Sequence, residues 1–72
     1  MVTQKQIKAA RVLLGWSQRD LAEKSGVSIQ TITKLEAGKK KVWVADYVMN
    51  AFKEAGVIFI DNGVRVDGGE SD

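Results

Sequence analysis

A break of three residues, Ser25-Gly26-Val27, separates two short helical segments that each carry their own start signal. Ser17-Gln18-Arg19-Asp20 supplies a hydroxyl cap with an acidic group in the first turn, which complements the helix dipole. Ser28 caps the following segment, whose Ile29, Ile32 and Leu35 recur at i, i+3, i+6. The first of these helices is expected to run to about Lys24, and Gly38 closes the second. A break this short makes the two helices share one core, for which Leu21, Val27, Ile32 and Leu35 are spaced. Ala22 is small where the helices approach, and Gly26 is free to take positive φ. The layout from Gln18 to Ala37 is that of a helix-turn-helix, with the helix over 28–37 free to point outward.

The flanks supply the rest of a small helical domain. Thr3-Gln4-Lys5-Gln6 has capping-box spacing, Ile7, Ala10 and Leu14 follow as an apolar stripe, and Gly15 ends that helix at about Leu14. After Lys39-Lys40-Lys41, the residues Val44, Tyr47, Val48, Ala51, Phe52 and Ala55 recur at helical spacing up to Gly56. Trp16 and Phe52 read as core, whereas Trp43 suits either exposed packing or a partner contact. Val57-Ile58-Phe59-Ile60 and Val64-Arg65-Val66 are β-formers around Asp61-Asn62-Gly63. Asn-Gly between two such runs predicts a type I′ hairpin over 57–66, with positive φ at both central residues. The acidic, Gly-rich residues 67–72 are expected to be disordered.

With 72 residues, the chain is expected to form a single domain over 1–66. Hydrophobic residues at 44% and charged ones at 28% are a globular balance. A domain of this size buries only about 60% of its unfolded surface, so a second copy would add useful burial. The chain has no Cys and no His, which excludes disulfides, thiol nucleophiles and imidazole acid–base chemistry. No Gly-rich phosphate loop or paired carboxylate site is evident, so neither an enzyme nor a cofactor is expected. No apolar run reaches the ~20 residues of a membrane span, and Met1-Val2-Thr3-Gln4-Lys5 does not lead into a signal peptide, which points to the cytoplasm. Residues 1–41 carry nine Lys and Arg against three Asp and Glu, a net +6, while residues 42–72 carry two against six, a net −4. The basic half could face a polyanion, and the acidic half could not.

The segment from Ile7 to Gly38 resembles the Cro/C1-type, or XRE, family of bacterial and phage helix-turn-helix regulators. The likeness is clearest in Leu14-Gly15-Trp16-Ser17-Gln18, in Leu21-Ala22-Glu23-Lys24-Ser25-Gly26-Val27-Ser28, and in Ile32 with Leu35-Glu36-Ala37-Gly38. It implies a mostly α, four-helix, lambda-repressor-like DNA-binding domain, here followed by a β-hairpin where many relatives have a fifth helix. By position it implies base contacts from Ile29, Gln30, Thr33 and Lys34. Gln can pair with adenine, Lys can donate to guanine, and Ile can touch a thymine methyl. Family members often have a polar residue where this chain has Ile29, and another where it has Ala37. The resemblance also implies a phosphate contact from Gln18 and a buried ion pair between Arg11 and Glu36. Arg19, Ser28, Thr31, Lys39, Lys40 and Lys41 are the further phosphate candidates beside the recognition helix.

A lone two-stranded hairpin is marginal in water, so its apolar face is expected to pack on the helices or its edge to pair with a second copy. A twofold dimer would satisfy both, and Val57, Ile58, Phe59, Ile60, Val64 and Val66 are the expected dimer interface. The resulting expectation is a homodimer that binds an inverted repeat in double-stranded DNA and acts as a transcriptional repressor, because repression needs only occupancy. No small-molecule ligand is expected. Two alternatives stay open. One is the antitoxin of a toxin–antitoxin pair, and the other is a protein-interaction adaptor with no DNA role, against which the lysine loop and the basic first half speak.

Overall fold

The computed structural model describes residues 2–39 and 42–67, with side chains from Asp46 onward within the fourth helix. The elements are α1 (Gln4–Leu13), α2 (Gln18–Ser25), α3 (Ile29–Glu36), α4 (Val42–Glu54), β1 (Val57–Ile60) and β2 (Gly63–Val66). The architecture is therefore mostly α with a terminal β-hairpin.

Local hydrogen bonds explain where the helices begin. At α1 the Thr3 hydroxyl accepts from the Gln6 amide at 3.2 Å, and the Gln6 side chain accepts from the Thr3 amide at 2.9 Å. At α2 Ser17 and Asp20 make the same reciprocal pair at 3.0 and 2.8 Å. The Ser28 hydroxyl accepts from the Thr31 amide at 3.2 Å and opens α3. Helix α2 runs one residue past Lys24. The Ser25 hydroxyl donates back to the Leu21 carbonyl at 2.7 Å, and Gly26, at φ 78°, then reverses the chain. A side chain at that φ would be strained, so the reversal between α2 and α3 calls for glycine.

The core is built from Ile7 and Ala10 of α1, Leu21 of α2, Ile32 and Leu35 of α3, and Val48, Ala51 and Phe52 of α4, with Val57 of β1. Leu21, Ile32, Val48 and Phe52 are its largest fully buried side chains. Tyr47, part of the apolar run in α4, points away from this core and is 58% exposed. Phe52 stacks on Trp16 with ring centroids 6.0 Å apart and meets the edge of Phe59 at 5.8 Å. These three rings tie the entrance of the helix-turn-helix, through α4, to the hairpin.

In the hairpin Val57 pairs with Val66, Ile58 with Arg65, Phe59 with Val64, and Ile60 with Gly63. The loop is Asp61-Asn62, and only Asn62 takes positive φ, at 58°. The expected Asn-Gly type I′ turn is therefore not formed, because Gly63 is the first paired residue of β2. A tertiary contact accompanies this register. Gln6 of α1 donates from Nε2 to the Ile60 carbonyl at 2.7 Å and to the Gly63 carbonyl at 2.9 Å, holding the closing pair from outside the hairpin. Directly opposed residues share a face, so Val57, Phe59 and Val64 turn toward the helices while Ile58 and Ile60 turn away.

Candidate nucleic-acid interface

Helix α3 separates its residues cleanly. Ile32 and Leu35 are buried in the core against α2 and α1, whereas Ile29, Gln30, Thr33 and Lys34 are exposed. The four base-contact candidates thus share the free side of one helix, and Ile29, at 36% exposure, is the one large apolar side chain among them. Thr31 is half-buried, and its hydroxyl lies 2.9 Å from that of Ser28. Arg19 is exposed and Gln18 half-buried at the start of α2.

Beyond α3 the chain turns through Gly38, at φ 79°. The Gly38 amide donates to the Leu35 carbonyl at 3.0 Å and the Lys39 amide to the Lys34 carbonyl at 2.8 Å. This paired closure sets Lys39, exposed, directly after the recognition helix. Lys40 and Lys41 lie outside the described residues, as do the Trp43 side chain and residues 68–72 of the expected disordered tail.

A network under this face connects three helices. Arg11 donates from Nε to Glu36 Oε2 at 2.7 Å, from Nη2 to Glu36 Oε1 at 3.1 Å, and from Nη1 to the Trp16 carbonyl at 2.9 Å. The two side chains are 12% and 4% exposed, so this is a buried, bidentate pair with its hydrogen-bonding groups engaged. Gln18 Nε2 donates to Glu36 Oε1 at 3.1 Å, and the Thr33 hydroxyl donates to Gln18 Oε1 at 3.2 Å. A phosphate candidate and a base candidate are therefore bonded to each other and anchored on the ion pair. Sequence reasoning missed this link, as it missed the contact of Gln6 with the hairpin. Both join residues far apart in the chain.

The electrostatics of the α2 start are also local. The backbone hydrogen bond from Ser17 holds the Asp20 carboxyl below its ordinary value of 3.8, with the Ser17 hydroxyl and Lys24 acting in the same direction. Among the described residues no group of His, Cys, Asp and Glu could hold a metal ion, and no helix is long and apolar enough to cross a membrane.

The hairpin residues expected at an interface between copies divide into two sets. Val57 is buried in the core at 7% exposure, and Phe59 and Val64 pack against it. Their apolar surface is already used within the chain. Ile58, Ile60 and Val66 remain 36%, 51% and 40% exposed.

No curated protein and no solved structure matches the chain. Residues 7–42, half of the chain, match the family model described as helix-turn-helix, and that stretch contains α2, the Gly26 turn, α3 and both members of the ion pair. The chain belongs to the Cro/C1-type helix-turn-helix family of DNA-binding regulators.

Proposed function

We propose that this chain is a sequence-specific transcriptional repressor that binds an inverted repeat in double-stranded DNA as a homodimer. The observation that carries the reading is the outward set Gln30, Thr33 and Lys34 on a helix whose opposite side is buried. Such a helix lies in the major groove with these side chains at base edges. Arg19 and Gln18 at the start of α2, Ser28 and Thr31 at the start of α3, and Lys39 after it, followed in sequence by Lys40 and Lys41, flank it as phosphate contacts. Repression by occupancy needs nothing beyond this surface, and the cytoplasm is where such a protein meets its operator. The reading assigns the chain no catalytic role and no cofactor.

Dimerisation uses the outer face of the hairpin, where Ile58 and Ile60 are exposed; Val66, opposite Val57, lies on the other face. Two copies related by a twofold axis would cover Ile58 and Ile60 and set their recognition helices ~34 Å apart, one turn of DNA. Footprinting on the DNA upstream of the protein's own reading frame tests the proposal. Protection of two half-sites about one helical turn apart supports it, and uniform protection or none contradicts it.

A further inference from the structure

The buried ion pair fixes the hydrogen-bonding polarity of a residue that it never touches. Arg11 can only donate, so the Glu36 carboxylate accepts, and the Gln18 amide beside it must present Nε2 to Glu36 Oε1. The other end of that amide, Oε1, then faces Thr33, and an amide oxygen can only accept. The Ile29 carbonyl, 3.0 Å from the same Thr33 hydroxyl, is also an acceptor. A hydroxyl has one proton, and both protein neighbours compete for it. What the exposed Thr33 oxygen has left for anything outside the protein is its lone pairs.

We propose that Thr33 meets DNA as a hydrogen-bond acceptor, so that it reads an exocyclic amino group, the N6 of adenine or the N4 of cytosine, on the strand it faces. This rests on the DNA-binding reading above and goes beyond it by assigning the polarity of one contact. In the major groove only these two groups donate, whereas guanine N7 and O6 and thymine O4 accept. To meet an acceptor, Thr33 would have to turn its proton outward and leave Gln18 Oε1 without its donor, since the Ile29 carbonyl alone is also served by the helix backbone. The network therefore acts against the wrong base as well as for the right one. Gln18 is a positioning residue in this scheme, and among the described residues its amide nitrogen donates only to Glu36, which leaves its second hydrogen for a phosphate.

The test begins with selection of bound sequences from random duplexes by the full chain and by Thr33→Val and Thr33→Ser. Thr33→Val keeps the shape and removes the hydroxyl, and Thr33→Ser keeps the hydroxyl. At the position whose preference Thr33→Val alone abolishes, the amino group is then deleted by placing purine for adenine or 2-pyrimidinone for cytosine. The expected result is about a fivefold loss of affinity for the natural chain and for Thr33→Ser, and none for Thr33→Val. A loss on replacing guanine by 7-deazaguanine instead, or an unchanged preference in Thr33→Val, overturns the inference and leaves DNA binding standing. Failure of the natural chain to enrich any sequence overturns the DNA-binding reading, and the inference with it.

Discussion

Arg11 holds Glu36 through two hydrogen bonds of 2.7 and 3.1 Å, and this single contact joins α1 to the last turn of α3. The pair is nearly closed to water, and Arg11 also donates to the Trp16 carbonyl, so neither charge is left without partners. A pair of this kind contributes less to stability than its length suggests, because both charges had to be desolvated. Removing one member is the costly event.

Glu36→Ala is accordingly expected to destabilise the domain by ~3 to 5 kcal/mol, a large part of the roughly 5 to 15 kcal/mol that small domains possess. Urea titration measures it. A loss below about 1 kcal/mol is what an exposed pair would give and contradicts the buried geometry.

Gln6 has two roles that one substitution separates. Glu at this position keeps the side-chain oxygen that completes the capping box with Thr3, but it cannot donate to the Ile60 and Gly63 carbonyls. Gln6→Glu should therefore lower stability by about 1 to 3 kcal/mol although the cap survives. Amide exchange should quicken in the hairpin and leave the start of α1 unchanged. A variant as stable as the natural chain would mean that the hairpin does not depend on this contact.

What was legible in the sequence was local. Both capping boxes are i, i+3 relationships, and the Gly26 break lies between two capped segments, so each could be read from adjacent residues. The places of Val57, Phe59 and Gln6 are not local in this sense. An alternating apolar strand does not say which face lies on the helices, and the partners of Gln6 are 54 and 57 residues away. The Asn-Gly signal named the hairpin correctly but not its register, since the loop closed one residue earlier. In the candidate interface the outward residues of α3 followed from helical spacing and family likeness. The bond between Gln18 and Thr33 did not, because it depends on how α2 and α3 cross.

Asp20 gives the fold a defined pH dependence. Its carboxyl is held below the ordinary value by the Ser17 backbone, so its contribution is fully present above about pH 4 and is lost as pH falls through the depressed value. Asp20→Asn should have a smaller acid-induced fall in urea midpoint than the natural chain, and the two should run parallel at neutral pH. Identical acid limbs would show that Asp20 plays no part in it.

Assembly is best tested on the outer face of the hairpin, because deleting the strands would also remove Val57 from the core. Ile60→Lys is expected to convert a dimer to a monomer in sedimentation with the fold retained, whereas deletion of residues 68–72 should leave the dimer intact. A dimer that survives Ile60→Lys and Ile58→Lys together would move the interface elsewhere.

Whether the outward side of α3 reads DNA sequence is decided by titrating a selected duplex and an unrelated one across a salt series. Lys34→Ala and Gln30→Ala should each cost ~1 to 3 kcal/mol per base read on the selected duplex and little on the other. Lys39→Ala should weaken both alike and lower the salt slope by about 0.9 for each phosphate that the protein no longer neutralises. If Lys34→Ala and Gln30→Ala leave binding to both duplexes unchanged, this face does not read DNA.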